Sequence, residues 1–258
     1  TRKTPKELAL GPGVDPNMLE KISDAGGMKT VVADKWNVDM TIEKLSCLED
    51  MTWLNSETIA FLMEHWIESH SQGSEKRMPG EAAQPKCWFS NTYFYDKLMI
   101  LSGKYDYAAV KRWTKSIRAF ELDKIIIPIN HNNSHWYAAC INFRDKRTEV
   151  YDSMGGEHSR VHEALRQWIA DEHKERKGGA EFDFEGWTKH SCTMLDGTRR
   201  CPRQHNGCDC GVFAVLFCMH MSLDRDFDFQ QDDISRVRRW MVQNVYDVGV
   251  SLGQFDPL

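Results

Sequence analysis

Residues 204–211 read Gln204–His205–Asn206–Gly207–Cys208–Asp209–Cys210–Gly211 and lead directly into the apolar stretch Val212–Met221. Polar and small residues ahead of a long apolar run predict a buried helix that begins at Cys210. A helix N-terminus presents unsatisfied backbone N–H groups and the positive end of the peptide dipoles. A cysteine placed there is favoured as thiolate, the reactive form. Gly207 and Gly211 flank the turn and permit close approach of another backbone. The side-chain amide of Gln204 could donate, together with the Cys210 backbone N–H, to a developing oxyanion.

A cysteine nucleophile needs a base, and the base needs a partner that orients it. Working back along the chain, Lys124–Ile129, Trp136–Phe143 and Thr148–Tyr151 read as strands, with Arg144–Arg147 as a hairpin turn between the last two. His135 enters the second strand and Asp152 leaves the third. In an antiparallel pair these two ends are neighbours. A carboxylate in that place can accept one imidazole N–H and fix the tautomer.

The rest of the chain frames these segments. Residues 1–27 hold Pro5, Gly11, Pro12, Gly13, Pro16, Gly26 and Gly27 and are expected to form a loosely ordered arm. Thr30–Thr41 reads as a short strand leading into a helix capped by Thr41 and ending near Leu48. Ile59, Leu62, Met63, Trp66 and Ile67 form a helical stripe capped by Asn55 or Ser56. Residues 69–86 read as a surface loop. Short helices are expected at Asn91–Leu101 and Tyr107–Ile117, a longer one at Ser159–Glu175 closed by Gly178 and Gly179, and a last one through Ile234, Val237, Trp240 and Met241. Trp187–Leu195 reads as one more strand. Helices, then strands, then helices predict an α+β fold.

Composition narrows the function. Of 258 residues, 33 are Lys or Arg and 38 are Asp or Glu, a net charge of −5, which argues against nucleic acid as a general partner. The longest apolar run, Gly211–Met221, is interrupted by His220 and falls well short of the ~20 residues a membrane span requires. Thr1–Pro16 has no apolar signal-peptide core. Eight cysteines in a chain of this length are too few for a secreted disulfide scaffold, so reduced thiols of an intracellular protein are expected. The chain begins at Thr1 rather than Met, and a longer parent protein is expected.

Taken together, Trp53–Leu54–Asn55, His135–Trp136, Asp152–Ser153 and Gln204-x-Asn206-Gly207-x-Asp209-Cys210-Gly211 resemble, in order and spacing, the Ulp/SENP family of cysteine proteases that act on SUMO and related modifiers. Arg112–Trp113, Ile126–Asn130 and Arg238–Arg239–Trp240 are also similar to the family at matching places. The resemblance runs from about Val38 to Val248. It implies a papain-like α+β fold, with a central mixed or antiparallel sheet packed by helices, and a catalytic domain over residues 28–258. It also implies Cys210 as nucleophile, His135 as general base and acid, Asp152 as the orienting acid and Gln204 as oxyanion donor. Trp53 and Trp136 would form a narrow tunnel over the modifier's Gly-Gly tail, where a side chain would not fit. The implied reaction is deconjugation and precursor maturation by a monomer in the nucleus or cytoplasm, without metal or organic cofactor. Two positions depart from the family: Ser56 replaces an Asp that contacts a basic modifier residue, and Cys208 replaces the more usual Tyr or Ser.

Blander readings stand beside these. Alone, Cys210 reads as a buried thiol, Asp152 as a turn carboxylate, Gln204 as a loop amide, and Trp53 and Trp136 as core aromatics. Cys201, His205, Cys208 and Cys210, with His190 and Cys192 upstream, raise structural zinc as a competing chemistry, against which stands the Cys-x-Cys spacing. Arg236, Arg238 and Arg239 read as a solvated basic face, with steering toward an acidic modifier surface as the functional alternative. Two other functions remain beside SUMO proteolysis: cleavage of a different ubiquitin-like modifier, and non-catalytic modifier binding.

Overall fold

A computed structural model describes residues 14–75, 84–100, 103–193 and 200–258. In chain order the helices are α1 (Met18–Ala25), α2 (Ile42–Leu45), α3 (Ser56–Glu75), α4 (Phe94–Leu98), α5 (Ser159–Arg176), α6 (Cys210–Leu223) and α7 (Ile234–Ser251). The strands are β1 (Val31–Lys35), β2 (Val38–Thr41), β3 (Cys87–Phe89), β4 (Lys124–His131), β5 (His135–Asn142), β6 (Arg147–Tyr151) and β7 (Thr188–His190). The chain divides into two compact units: residues 1–79, 204–215 and 228–258 form the first, and residues 80–203 and 216–227 the second.

In the first unit, β1 and β2 form a hairpin through Trp36 and Asn37, whose φ angles of 55° and 59° have the sign a two-residue hairpin turn requires. Thr41 then caps α2 by accepting from the Lys44 backbone N–H at 3.3 Å, as its sequence position predicts. Asn55 caps α3 in the same way, accepting from Thr58 N–H at 2.7 Å. A Cβ on Gly249 would collide with the Val32 carbonyl oxygen, so α7 lies directly on β1. Of the arm expected over residues 1–27, residues 1–13 lie outside the described residues. Residues 18–25 form α1, which buries Met18 and Ile22 and packs against α7. Its short apolar stripe outweighs the glycines and prolines around it.

The second unit is built on a five-stranded sheet of order β3-β4-β5-β6-β7. Its three central strands are antiparallel, and the two edge strands pair in parallel with their neighbours. The sheet is therefore mixed, within the α+β class expected. β4 is buried along nearly its whole length, which matches its isoleucine-rich sequence Ile125–Ile129, in which only Pro128 interrupts the isoleucines. α5 lays Val161, Leu165, Trp168 and Ile169 into the core, where Trp168 meets Phe94 edge-on at 5.9 Å. Gly178 and Gly179, both at positive φ, follow the end of α5.

Several expected boundaries move. β3 was hidden in a three-residue run too short to show a period. Tyr107–Ile117 forms one turn of 3-10 helix followed by further turns, and only Phe94–Leu98 of the preceding segment is helical. α3 continues to Glu75, into the stretch expected as loop, and residues 76–83 lie outside the described residues. The strand expected at Trp187–Leu195 is confined to Thr188–His190, with residues 194–199 outside the described residues.

Within this unit, His162 of α5 is 2% exposed. Its Nδ1 meets Thr148 Oγ1 at 2.8 Å and its Nε2 meets Ser191 Oγ at 3.0 Å. Burial, followed by the nearby charge of Lys189, lowers its pKa from 6.5 to about 4. Because the folded value lies below the unfolded one, its contribution to stability is complete above pH ~6.5 and is lost as pH falls to about 4. The loss amounts to about 3 kcal/mol at most. Urea midpoints recorded between pH 7 and pH 4.5 should therefore fall less steeply for His162→Gln than for the unaltered chain; parallel curves would refute the assignment.

Candidate active site

In the second unit, β5 and β6 pair with Ala138 opposite Tyr151, so the start of β5 and the residue after β6 lie at one end of the sheet. There His135 Nε2 meets Asp152 Oδ1 at 2.8 Å. A carboxylate only accepts, so this contact fixes the Nε2–H tautomer and makes Nδ1 the basic nitrogen of His135. Asp152 is 2% exposed. Burial works against its charge, but hydrogen bonds from His135, His158 and the Met154 backbone N–H outweigh burial and hold the carboxyl well below the usual carboxylate range. The group is therefore an anion near neutral pH. Trp136, next to the histidine, is 6% exposed.

In the first unit, Cys210 opens α6, as the apolar run predicted, and is 4% exposed. The turn before it is organised by Asn206. Its Oδ1 accepts the backbone N–H groups of Cys208 and Asp209 at 2.9 and 3.1 Å. The Gln204 amide donates to the Asn206 carbonyl at 2.6 Å, which orients a group that has two N–H donors. Gly211 is required by contact: a Cβ there would stand 2.9 Å from Leu54 Cβ. The start of α6 is thereby pressed against the Trp53–Leu54–Asn55 segment, and Trp53 itself remains 54% exposed beside a buried Leu54.

That contact is locked by a buried ion pair. Arg238 of α7 is 1% exposed and places Nη2 2.7 Å from Asp209 Oδ1. It also donates to the carbonyls of Cys47, Glu49 and Thr52. The other Asp209 oxygen accepts from Asn206 and Gln231, both at 2.7 Å. Burial opposes the Asp209 charge, and these bonds together hold its carboxyl below the usual range. One guanidinium thus joins the residue before Cys210 to the strand of chain that carries Trp53. Arg238→Met should cost about 3–5 kcal/mol of folding stability, because it leaves a buried carboxylate unpaired. A stability loss below about 1 kcal/mol, read from urea unfolding curves, would sink the argument.

The expectation of a solvated basic face is corrected here. Arg236 bonds Asp233 near the surface and Arg239 is exposed, but Arg238 is buried. The signal was present: position 238 falls on the Ile234–Val237–Met241 stripe, four residues after Ile234. His158 on the far side of Asp152 was also missed, since a histidine at a helix start has no distinctive spacing. Cys208 and Cys210 carry free thiols. Among the described residues, no group of three His, Cys, Asp or Glu side chains is arranged to hold a metal ion. No helix among them is long and apolar enough to cross a membrane.

The fold and these two clusters describe a cysteine protease domain, and the comparisons agree. The model of the Ulp1 protease family, C-terminal catalytic domain, matches residues 52–251. The chain belongs to this family, as the resemblance in its motifs implied. It is 31% identical over 232 residues to sentrin-specific protease 2 of Homo sapiens, covering 89% of this chain and 36% of that protein. It is 34% identical over 206 residues to ubiquitin-like-specific protease 1A of Arabidopsis thaliana, covering 78% of this chain and 38% of that one. The chain thus spans about a third of the length of these curated relatives. Its fold matches the C-terminal protease domain of yeast Ulp1, solved in complex with the SUMO ortholog Smt3, with a TM-score of 0.69 and 23% identity over 95% of this chain and 98% of that one. The catalytic domain of the Chaetomium thermophilum Ulp1-like SUMO protease gives a TM-score of 0.71 at 19% identity, over 95% and 93% of the two chains.

Proposed function

We propose that this chain is a thiol protease and isopeptidase that cleaves after the C-terminal Gly-Gly of a ubiquitin-like modifier, with SUMO as its substrate. The observation that carries the reading is the 2.8 Å contact of His135 with Asp152, in a family domain whose α6 begins at Cys210. The names of the relatives, sentrin-specific and ubiquitin-like-specific proteases, support the substrate class. The catalytic domain covers residues 28–258, with α1 packed on it, and the protein works in the nucleus or cytoplasm.

In this mechanism the Cys210 thiolate attacks the carbonyl carbon of the modifier's last glycine. The oxyanion is met by the Cys210 backbone N–H and the Gln204 amide. His135 Nδ1 takes the Cys210 thiol proton as the thiolate forms and gives it to the departing amine, which is a lysine ε-amine in a conjugate or an α-amine in a precursor. It then takes a proton from the water that releases the thioester. The resemblance assigns Trp53, exposed on a locked segment, and Trp136 to contact with the glycine tail. Ser56 in place of the family's Asp removes one charge contact with the modifier and makes a related ubiquitin-like protein the alternative substrate.

The test is covalent capture. SUMO carrying a C-terminal vinyl sulfone should label the chain once, at Cys210, and a fluorogenic SUMO should be cleaved. Absence of both labelling and cleavage, with SUMO and with other ubiquitin-like probes, would reduce the chain to a binding module.

A further inference from the structure

Asp152 has two oxygens, and the mechanism above uses one. The other carries a second imidazole: His158 Nε2 lies 2.7 Å from Asp152 Oδ2. Backbone N–H groups complete the arrangement, Met154 to Oδ1 at 2.7 Å and Gly156 to Oδ2 at 3.3 Å. Four donors therefore converge on one buried carboxylate.

The His158 arrangement is built rather than incidental. The residue sits at φ 48° and ψ 48° just ahead of α5, a left-handed conformation that a side-chain-bearing residue rarely adopts. Its ring stacks on Tyr137 of β5, with centroids 4.0 Å apart and planes 14° from parallel. The same Tyr137 ring stands 5.9 Å from the His135 ring, so one tyrosine adjoins both imidazoles. Gly156 leaves the space: a Cβ there would run into His158 Nε2 and Asp152 Oδ2. A strained backbone, a stacked ring and an obligatory glycine all serve the same hydrogen bond.

We propose that His158 is a positioning residue for the His135–Asp152 pair, fixing the plane of the carboxylate and tempering its pull on the His135 proton. The proposal rests on the reading of His135 as the catalytic base. A carboxylate that shares its charge between two imidazole donors stabilises each of them less than it would stabilise one alone. Removing His158 therefore raises the proton affinity of His135. The sign is the same if His158 is protonated, because a neighbouring cation also disfavours the His135 imidazolium. Other titratable groups near the pair are the Cys192 and Cys201 thiols, which touch the Asp152 backbone, Tyr137 on β5, Tyr95 and Asp96 of α4, whose charges act on Tyr137, and His162 on α5. All of them remain in place in the variants below.

The experiment compares the unaltered chain with His158→Ala, His158→Gln and Cys210→Ala. It reads kcat and KM on fluorogenic SUMO, and the His135 titration midpoint by its imidazole NMR signal. In His158→Ala, kcat should fall about tenfold with little change in KM, and the His135 midpoint should rise by about half a unit or more. His158→Gln, whose amide N–H reaches about as far as Nε2, should recover kcat to within about threefold. An unchanged His135 midpoint in a folded His158→Ala chain overturns the proposal, as does an equal loss in the Ala and Gln variants. Activity that persists in Cys210→Ala would defeat the catalytic reading instead, and the NMR midpoint would still decide the effect of His158 on His135.

Discussion

Cys210→Ala should abolish cleavage of fluorogenic SUMO, lowering kcat/KM by roughly 10⁵-fold or more, while SUMO binding survives. The size follows from the role assigned: no other group in the reaction can form the acyl intermediate, so its loss is not partly covered by the base or the oxyanion donors. Survival of binding follows from packing. Cys210 is 4% exposed, and alanine at the first position of α6 disturbs neither the Asn206 turn nor the Gly211–Leu54 contact. Steady-state kinetics and a SUMO pull-down measure the two halves separately. Residual activity above about 1% of the unaltered chain would move the nucleophile elsewhere.

Asp152→Asn should lower kcat by about 10³–10⁴-fold, a larger loss than an isosteric change suggests. Asparagine offers one acceptor oxygen and one NH₂ group. The carboxylate it replaces accepts from His135, His158, Met154 N–H and Gly156 N–H. Whichever way the amide is turned, its NH₂ faces an imidazole and a backbone donor. An imidazole can escape the clash by shifting its proton, but for His135 that shift takes the basic lone pair away from Nδ1. Because the Asp152 carboxyl is held far below the usual range, protonation of this group contributes nothing to the activity profile near neutral pH. A kcat within tenfold of the unaltered chain would mean that tautomer control lies with another residue.

The parts legible in the sequence were those in which one residue pattern has one physical consequence. The isoleucine-rich run Lys124–Ile129 read as a strand, Thr41 read as the cap of the helix after it, and of the two caps offered for the next helix, Asn55 and Ser56, the structure uses Asn55. His135 and Asp152 could be paired because a hairpin brings strand ends together whatever the loop does. The Arg238–Asp209 pair and the separate His158–Asp152 bond were not legible as partnerships. Their partners lie 186–191 residues away for the Arg238 carbonyl contacts, or on the unmarked side of a carboxylate, and no local period reports such a choice. The 3-10 turns at Tyr107–Ala109 were likewise misread, since Val110, Trp113 and Ile117 keep a helical spacing without a continuous helix.

Arg238 also sets limits on how the chain can be cut. A fragment ending before residue 234 would keep all six residues assigned to the site, from Trp53 to Cys210, and would still strand the Asp209 carboxylate and three backbone carbonyls without their cation. Split reporters, circular permutants and minimal domains made from this chain must therefore carry α7 together with residues 47–54 and 204–215. The smallest working piece is defined by that guanidinium rather than by the last residue that touches substrate.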